Sequence, residues 1–426
     1  MSSLLNTTES VCPVCLVKLM AYITSDDEGV FLEKRCSEHG VFKTIIWRGS
    51  QAGYDAWIRD AGPRGRSHPS GPHRQWERGC PFDCGLCPEH KNETCSAALM
   101  VTSRCNLNCP VCFTRDTQEP LHEPSLDQLG HILRFYRHTS GKPFPLEICG
   151  GEPTVRDDLS DILMMARKMG FDHIQVNTNG IRLAQDAELG VRLKAAGATV
   201  IYLGFDGADD APYLSTTGRK LFAVKQRAVE NCARAGLAVV LVPVLVPDLN
   251  IDHIGRIVQM AKNWMPSVKG VFFQPISYFG DYPGTPSNEN RITLPEVLTA
   301  LSEQTHGELK ETDFSPPGCE HPLCSFNGVF LLDRSGRLRS VAKRTTRTNN
   351  DDAAGRVRDL TAKQWRANPA RILTIGGMLF QDAWNLDLAR LKRCIIHILA
   401  KDQGLVPLCA KYLTSRDGQC LHAGMA

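Results

Sequence analysis

The sequence predicts an α/β protein centred on a parallel sheet built from six strand–helix units. Three observations carry this reading. Apolar, strand-like runs alternate with amphipathic helical runs between residues 97 and 280. Chemistry-bearing residues fall where those strands end, the end that carries active groups in folds of this kind. The 17 cysteines are grouped at metal-ligand spacing before, within and after that region.

Residues 1–50 form the first unit. Cys12-x-x-Cys15 and Cys36-x-x-His39 flank a segment of strand character within residues 11–47. Three sulfurs and one nitrogen at this spacing suit a rubredoxin-like or zinc-ribbon-like knuckle holding one iron or zinc ion. The competing reading is four unliganded residues. Residues 51–96 follow, with a basic Gly/Pro-rich stretch at 61–74 that reads as a linker or solvated loop. This segment ends in Cys80-x3-Cys84-x2-Cys87, with Cys95 eight residues on.

Within residues 97–280 the pattern repeats. A strand at 96–103 leads into Cys105-x3-Cys109-x2-Cys112, and Ser125-Leu-Asp-Gln128 is a capping box opening a helix to residue 137. A strand at 145–149 precedes Gly150-Gly151-Glu152-Pro153-Thr154, and a helix at 157–169 is closed by Gly170. The strand at 173–177 ends in Asn177-Thr-Asn179-Gly180, and 184–196 reads as one helix. The strand at 199–205 ends at Asp206, the helix at 222–235 stops at Gly236, and 238–246 is an apolar strand. A helix at 251–264 and a strand at 270–274 complete the six units. Residues 281–426 are less regular: a helix at 294–303, a hairpin around Arg334-Ser-Gly, a polar loop at 345–356, a helix at 384–393, and the dispersed Cys319, Cys324, Cys394, Cys409 and Cys420.

Composition excludes several classes. Lys and Arg number 49 and Asp and Glu 46, a net charge of +3, so a nucleic-acid-coating protein is not expected. The longest apolar run, residues 237–246, contains Pro243 and is far short of the roughly 20 residues a membrane span needs. Residues 1–10 lack a basic region followed by an apolar one, so no signal peptide and a cytoplasmic location are expected. In that compartment thiols stay reduced, and metal binding is a better reading of the cysteines than disulfides.

The C-x3-C-x2-C pattern occurs twice, where chance gives roughly 0.03 matches in a chain of this cysteine content. Three soft thiolates on one tight loop suit an iron–sulfur cluster. Three cysteines bind three of four irons and leave the fourth open to a cofactor or substrate.

Cys105-Asn-Leu-Asn-Cys109-Pro-Val-Cys112-Phe113, followed by Gly150-Gly151-Glu152-Pro153, resembles the radical S-adenosylmethionine (SAM) superfamily. The resemblance implies a partial (β/α)6 radical SAM barrel in which Cys105, Cys109 and Cys112 hold a [4Fe-4S] cluster whose open iron chelates SAM. It implies that Phe113 lies near the adenine, that Gly150, Gly151 and Glu152 receive the SAM ammonium, and that Asn177 and Asn179 meet the ribose. For the two asparagines an ordinary Asn-Gly turn competes. It also implies that residues 242–246 line the adenine side.

The whole order of cysteine motifs is similar to the multi-cluster group containing tetraether lipid synthases and the arsinothricin-biosynthesis enzyme. That likeness implies a mononuclear iron or zinc site at Cys12, Cys15, Cys36 and His39. It further implies a first auxiliary cluster on Cys80, Cys84, Cys87 and Cys95, and a C-terminal auxiliary-cluster domain with Cys319, Cys324, Cys394 and Cys409. Reductive cleavage of SAM to a carbon radical is then the expected chemistry, with an electron donor such as flavodoxin or ferredoxin. The substrate reading is a small molecule, arsenite receiving a 3-amino-3-carboxypropyl group. Lipid-chain carbon–carbon coupling is the runner-up, and RNA modification is disfavoured by the charge. A non-catalytic electron-transfer or zinc-binding protein explains the cysteines but not residues 150–154 at a strand end. Cys149, Cys232, Met164 and Met165 read as core, His321 and His397 as packing beside cluster cysteines, and Lys343-Arg-Thr-Thr-Arg347 as a solvated loop.

Overall fold

The computed structural model describes residues 2–61, 77–84, 87–110, 112, 121–140, 145–280, 282, 284–317, 320–341, 371–400 and 404–422. The 62–76 part of the linker, Phe113, Cys319, the Lys343–Arg347 run and the 345–356 loop lie outside these residues.

The N-terminal unit is an antiparallel meander of β1 (Ser3–Val11), β2 (Lys18–Asp26), β3 (Gly29–Cys36) and β4 (Gly40–Trp47). It is seated on the rest of the chain by polar contacts. Arg48 donates to Glu296 at 3.1 Å, and the buried Lys34 donates to the Ala383 carbonyl at 2.7 Å. Thr8 donates to Asp387 at 2.5 Å.

The central strands are β5 (Ser96–Thr102), β6 (Leu146–Gly150), β7 (Ile174–Thr178), β8 (Val200–Gly204), β9 (Ala238–Val242), the short β10 (Val244–Leu245) and β11 (Val268–Pro275). β5 to β9 and β11 are parallel neighbours in chain order, joined by helical crossovers. Side chains alternate between two faces, as strand geometry requires. Leu99, Ile148, Val176, Ile201, Leu241 and Phe273 pack with the helices in one apolar core. The helix Ile254–Asn263 shows how that layer is made: Ile254, Ile257, Val258 and Ala261 recur at one-face spacing and are buried. Each such aliphatic side chain contributes about 1.5–3 kcal/mol when fully buried. The opposite, inner face carries Glu147, Cys149, Gln175, Asn177, Tyr202 and Phe272, in register across neighbouring strands.

The C-terminal strands β12 (Ser325–Leu332), β13 (Leu338–Ser340), β14 (Ile372–Met378), β15 (Ile396–Ala400) and β16 (Gly404–Pro407) join the same sheet at both edges. β14 lies parallel to β11 and β15 parallel to β5, so the sheet has twelve strands where the sequence pattern ended at six. Two expected helices differ. The 184–196 run is split into Ile181–Gln185 and Leu189–Ala196, because the Asp186 carboxylate accepts from the Glu188 amide and forms a local turn. The 384–393 run is helical only at Leu388–Leu391, since Asp387 caps it by accepting from the Ala389 amide. Met165 packs against the core as read, but Met164 is exposed. No helix among the described residues is long and apolar enough to cross a membrane.

Candidate active site

The loop after β5 carries Cys105, which is exposed, and Cys109 and Cys112, which are half-buried. Its entry is fixed by an ion pair: Arg104 donates to both Glu123 oxygens at 2.6 and 2.7 Å, and Thr102 donates to Glu123 at 2.6 Å. Burial pushes the Cys109 thiol up to about 11, and the neighbouring Cys112 and Cys105 thiols act in the same direction. Cys105 is raised for the same reasons, burial foremost, with Glu152 and Cys112 adding to it. Three soft thiolates carried on one loop suit iron. Phe113 lies outside the described residues.

The Gly150–Gly151 loop lies against the entry to that cysteine loop. The Gly151 amide donates to the Thr102 carbonyl and the Glu152 amide to the Arg104 carbonyl, both at 2.8 Å. A Cβ on Gly150 would sit 2.2 Å from the Thr102 oxygen, and one on Gly151 2.4 Å from the Arg104 oxygen. Only glycine permits this approach of two backbones.

Glu152 is fully buried. Its Oε1 accepts from the Thr154 amide (3.0 Å), Thr154 Oγ1 (2.6 Å) and Thr178 Oγ1 (2.7 Å), and its Oε2 accepts from the Asn179 amide (2.6 Å). A carboxylate offers about four lone-pair sites; three protein donors converge on Oε1 and one on Oε2. The geometry gives Glu152 a positioning role, tying the glycine loop to the end of β7, and leaves Oε2 able to accept beyond the Asn179 amide.

Asn179 continues the tie. Its Nδ2 donates to Asn106 Oδ1 within the cysteine loop at 2.7 Å, and its Oδ1 accepts from the Ile181 amide at 3.0 Å. Asn177 instead points to the inner face, where Oδ1 accepts from Gln175 Nε2 at 2.6 Å. Lys225, unremarked in the sequence, is buried and donates to the Asn179 carbonyl at 2.6 Å. Burial lowers its pKa, while Asp206, Glu152 and Cys109 pull it back up. Burial raises the Asp206 carboxyl, with Lys225 opposing. Lys225 is thus a buried cation on which Asp206, Glu152 and Cys109 all act. Its only sequence signal is a lysine on a helix face otherwise filled by Ala228, Val229 and Cys232.

In the meander, the ligand atoms of Cys12, Cys15, Cys36 and His39 all lie within 4.8 Å of one another. His39 Nδ1 is 3.4 Å from the Cys36 sulfur and 3.7 Å from the Cys12 sulfur, and the Cys15 and Cys36 sulfurs are 4.0 Å apart. A tetrahedral ion with bonds of about 2.3 Å to sulfur sets sulfurs about 3.8 Å apart, so this donor set fits one zinc or iron ion. Backbone donors at Glu38, with the His39 side chain, lower the Cys36 thiol to about 6, whereas burial raises Cys12 to about 11.

The remaining cysteines gather on the inner side of β5 and β15. Cys84 and Cys87 are raised, Cys84 chiefly by its hydrogen bond with Cys80 and Cys87 chiefly by burial. Cys95 meets the Ile395 carbonyl through its backbone amide at 2.8 Å. Cys324, Cys394 and Cys409 line one cavity with Glu320, Gln381 and Arg390. Burial pushes Cys409 up to about 12 and raises Cys394 further, and the Cys324 thiol adds to both. The buried Arg390 donates to the Cys324 sulfur at 3.0 Å. Cys394 adds to the rise at Cys84. Cys420 is half-buried and donates to the Lys411 carbonyl. His397 is buried beside His90, their Nε2 atoms 3.3 Å apart, and His90 Nε2 is 2.9 Å from the Cys394 carbonyl. Cys232 lies in the helical core, while Cys149 is half-buried on the inner face, 3.4 Å from the Met100 sulfur.

Comparison with known proteins agrees with this layout. The Radical SAM superfamily profile matches residues 99–261. A profile described as the HMPTM N-terminal zinc ribbon domain matches residues 4–48. The chain is 32% identical to 7,8-dihydro-6-hydroxymethylpterin dimethyltransferase of Methanocaldococcus jannaschii, over 94% of this chain and 92% of that protein. It is 29% identical to GTP 3',8-cyclase of Mannheimia succiniciproducens, over 39% of this chain and 48% of that one. Among solved structures, methylornithine synthase is similar over 64% of this chain and 82% of its own, with 12% identity and a TM-score of 0.38.

Proposed function

The chain belongs to the radical SAM superfamily and carries an N-terminal zinc ribbon, and on that premise we propose that it methylates carbon on a small heterocycle of the pterin class. The observation that carries the substrate is the end-to-end likeness to a pterin dimethyltransferase, 32% identity over 94% of the chain. Carbon–arsenic bond formation and lipid coupling gain no support from these relatives, which are named for a pterin and for GTP.

Cys105, Cys109 and Cys112 hold the [4Fe-4S] cluster in this reading, and Cys12, Cys15, Cys36 and His39 hold zinc. When the cluster and SAM are bound, they supply a carbon radical at the strand ends. The chain's own work there is positional. Gly150 and Gly151 bring the two loops together, Glu152 and Asn179 brace them, and Lys225 offsets the negative charge of Asp206 and the thiolates. The half-buried inner face keeps a reacting carbon away from bulk water. Cys80, Cys84, Cys87 and Cys95, and Cys324, Cys394 and Cys409 with Cys319, are the ligand sets for two auxiliary clusters, and a flavodoxin or ferredoxin is the class of electron donor.

The test is anaerobic turnover of reconstituted holoenzyme with dithionite and SAM, followed by mass spectrometry. Parallel reactions receive 7,8-dihydro-6-hydroxymethylpterin, arsenite or phospholipid. A pterin heavier by one or two methyl groups is expected. SAM cleavage with an unchanged pterin, or an arsenic-bearing aminocarboxypropyl product, would overturn the reading.

A further inference from the structure

Two glutamates flank the inner face of the sheet, and they are satisfied very differently. Glu152 is buried and accepts four hydrogen bonds from the chain, as described above. Glu147 sits on β6 with its side chain on the inner face, among Gln175, Asn177 and Tyr202 of the next two strands. Ser96 Oγ donates to its Oε1 at 2.5 Å, and the Asn177 side chain is its other neighbour. That leaves about half of its acceptor capacity unused. The side chain is half-buried on the inner face, and partial loss of water around it raises its pKa. Its unused acceptor sites are open to donors supplied from outside the chain.

The surroundings narrow what those donors belong to. Tyr202 lies one register step above, its ring 6.4 Å from that of Phe272 in an edge-to-face pair, and its hydroxyl has no hydrogen-bond partner among the described residues. Gln175 and Asn177 present amides beside the carboxylate. Aromatic rings, amides and one under-used carboxylate together match a flat heterocycle with an N–H-rich edge. Glu147 lies three residues below Gly150, about 10 Å along the strand. A two-ring heterocycle anchored there reaches up toward the glycine loop and the cysteine loop.

We propose that Glu147 is the specificity residue of the substrate site, its carboxylate accepting the paired N–H donors of a 2-amino-4-oxopyrimidine edge, with Tyr202 and Phe272 walling the ring. The pairing is the fork-like match that a carboxylate makes with a guanidinium. This assignment rests on the pterin reading and adds the residues and the orientation. The reactive carbons of the second ring and its substituent then face the radical, and the amino edge faces away.

The test compares two rings that differ at one position. Holoenzyme with SAM, unreduced so that nothing turns over, is titrated with 6-hydroxymethylpterin and with 6-hydroxymethyllumazine, which has a carbonyl in place of the 2-amino group. Wild type is expected to bind the pterin roughly 10- to 100-fold more tightly, the span given by one or two hydrogen bonds to a charged group. Glu147→Gln offers one donor and one acceptor, so the preference is expected to shrink or reverse toward the lumazine. A residue with only a structural role would weaken both ligands equally. Iron content and far-UV circular dichroism check that the variant is folded.

An unchanged preference in a folded Glu147→Gln overturns the assignment while leaving the pterin reading standing. So does a wild type that binds both rings equally, a result that needs no variant. A wild type that binds neither ring and leaves the dihydropterin unmethylated overturns both.

Discussion

The ligand atoms of Cys12, Cys15, Cys36 and His39 lie within 4.8 Å of one another on paired strands, whereas Cys105, Cys109 and Cys112 share one loop, Cys105 exposed and the other two half-buried. The first set hangs from two tight hairpin ends, the β1–β2 and β3–β4 connections, whose strands are already paired. The second hangs from one loop that leaves a strand and is braced from outside, by Glu123 at its entry and Asn179 at Asn106. The difference follows from what each must hold. One ion needs four atoms around a point, and a hairpin frame brings them there unaided. A four-iron cluster, which the Radical SAM profile implies, needs ligands at separate irons with one iron left open, and a partly exposed loop braced by neighbouring strands suits that need.

The largest effect expected from this contrast is at the loop. Cys109→Ala should lower SAM cleavage by more than ~1,000-fold while zinc content stays at the wild-type level by elemental analysis. Loss of both metals together would break the separation. Removing the other centre is the reciprocal experiment. His39→Ala should release zinc and strip hydrogen-exchange protection from residues 3–47, because structural zinc contributes about 10–16 kcal/mol of binding free energy to small domains. Iron content should stay at the wild-type level, and a loss of iron would show that the ribbon supports the barrel's clusters.

A smaller effect is expected where the loop's frame is touched without its ligands. Glu152→Gln replaces acceptors facing the Thr154, Thr178 and Asn179 donors with an amide that must point hydrogens at some of them. A drop of about 10- to 100-fold in kcat/KM is expected, with iron content retained. An unchanged kcat/KM would show that the two loops are held by the backbone contacts alone.

The smallest effect is on stability against pH. Burial lowers His90 and His422 to about 4 and His397 well below its usual value. Their folded pKa values lie below the unfolded one near 6.5, so the unfolded chain binds more protons between those limits. Stability is therefore complete above about pH 6.5 and falls as pH drops toward 4, by about 1.4 kcal/mol per pH unit for each proton. Urea midpoints at pH 7.5 and 5.0 measure it, and equal midpoints would contradict the buried, neutral state of these rings.

The sequence pattern carried much of this layout. Alternating apolar runs located the six central strands, and Cys spacing marked the four residues whose ligand atoms meet in the N-terminal meander. What escaped it was long-range. The joining of β14 and β15 to opposite edges of the sheet pairs residues more than a hundred positions apart, which no local period encodes. The split at Asp186 came from one side chain competing for a backbone amide. Lys225 and Glu147 looked ordinary because a lone charge on a helix or strand is ordinary. Their meaning comes from what faces them in the fold. Glu152 shows the converse, a motif carboxylate whose Oε1 is crowded by three donors of the chain itself.

The most direct measurement is an EPR titration of dithionite-reduced holoenzyme with SAM, run beside Cys109→Ala. If the loop after β5 presents an iron open to SAM, the wild-type spectrum should change in g-values on SAM addition, and the variant spectrum should not. A wild-type spectrum indifferent to SAM, with iron fully loaded, would contradict the account.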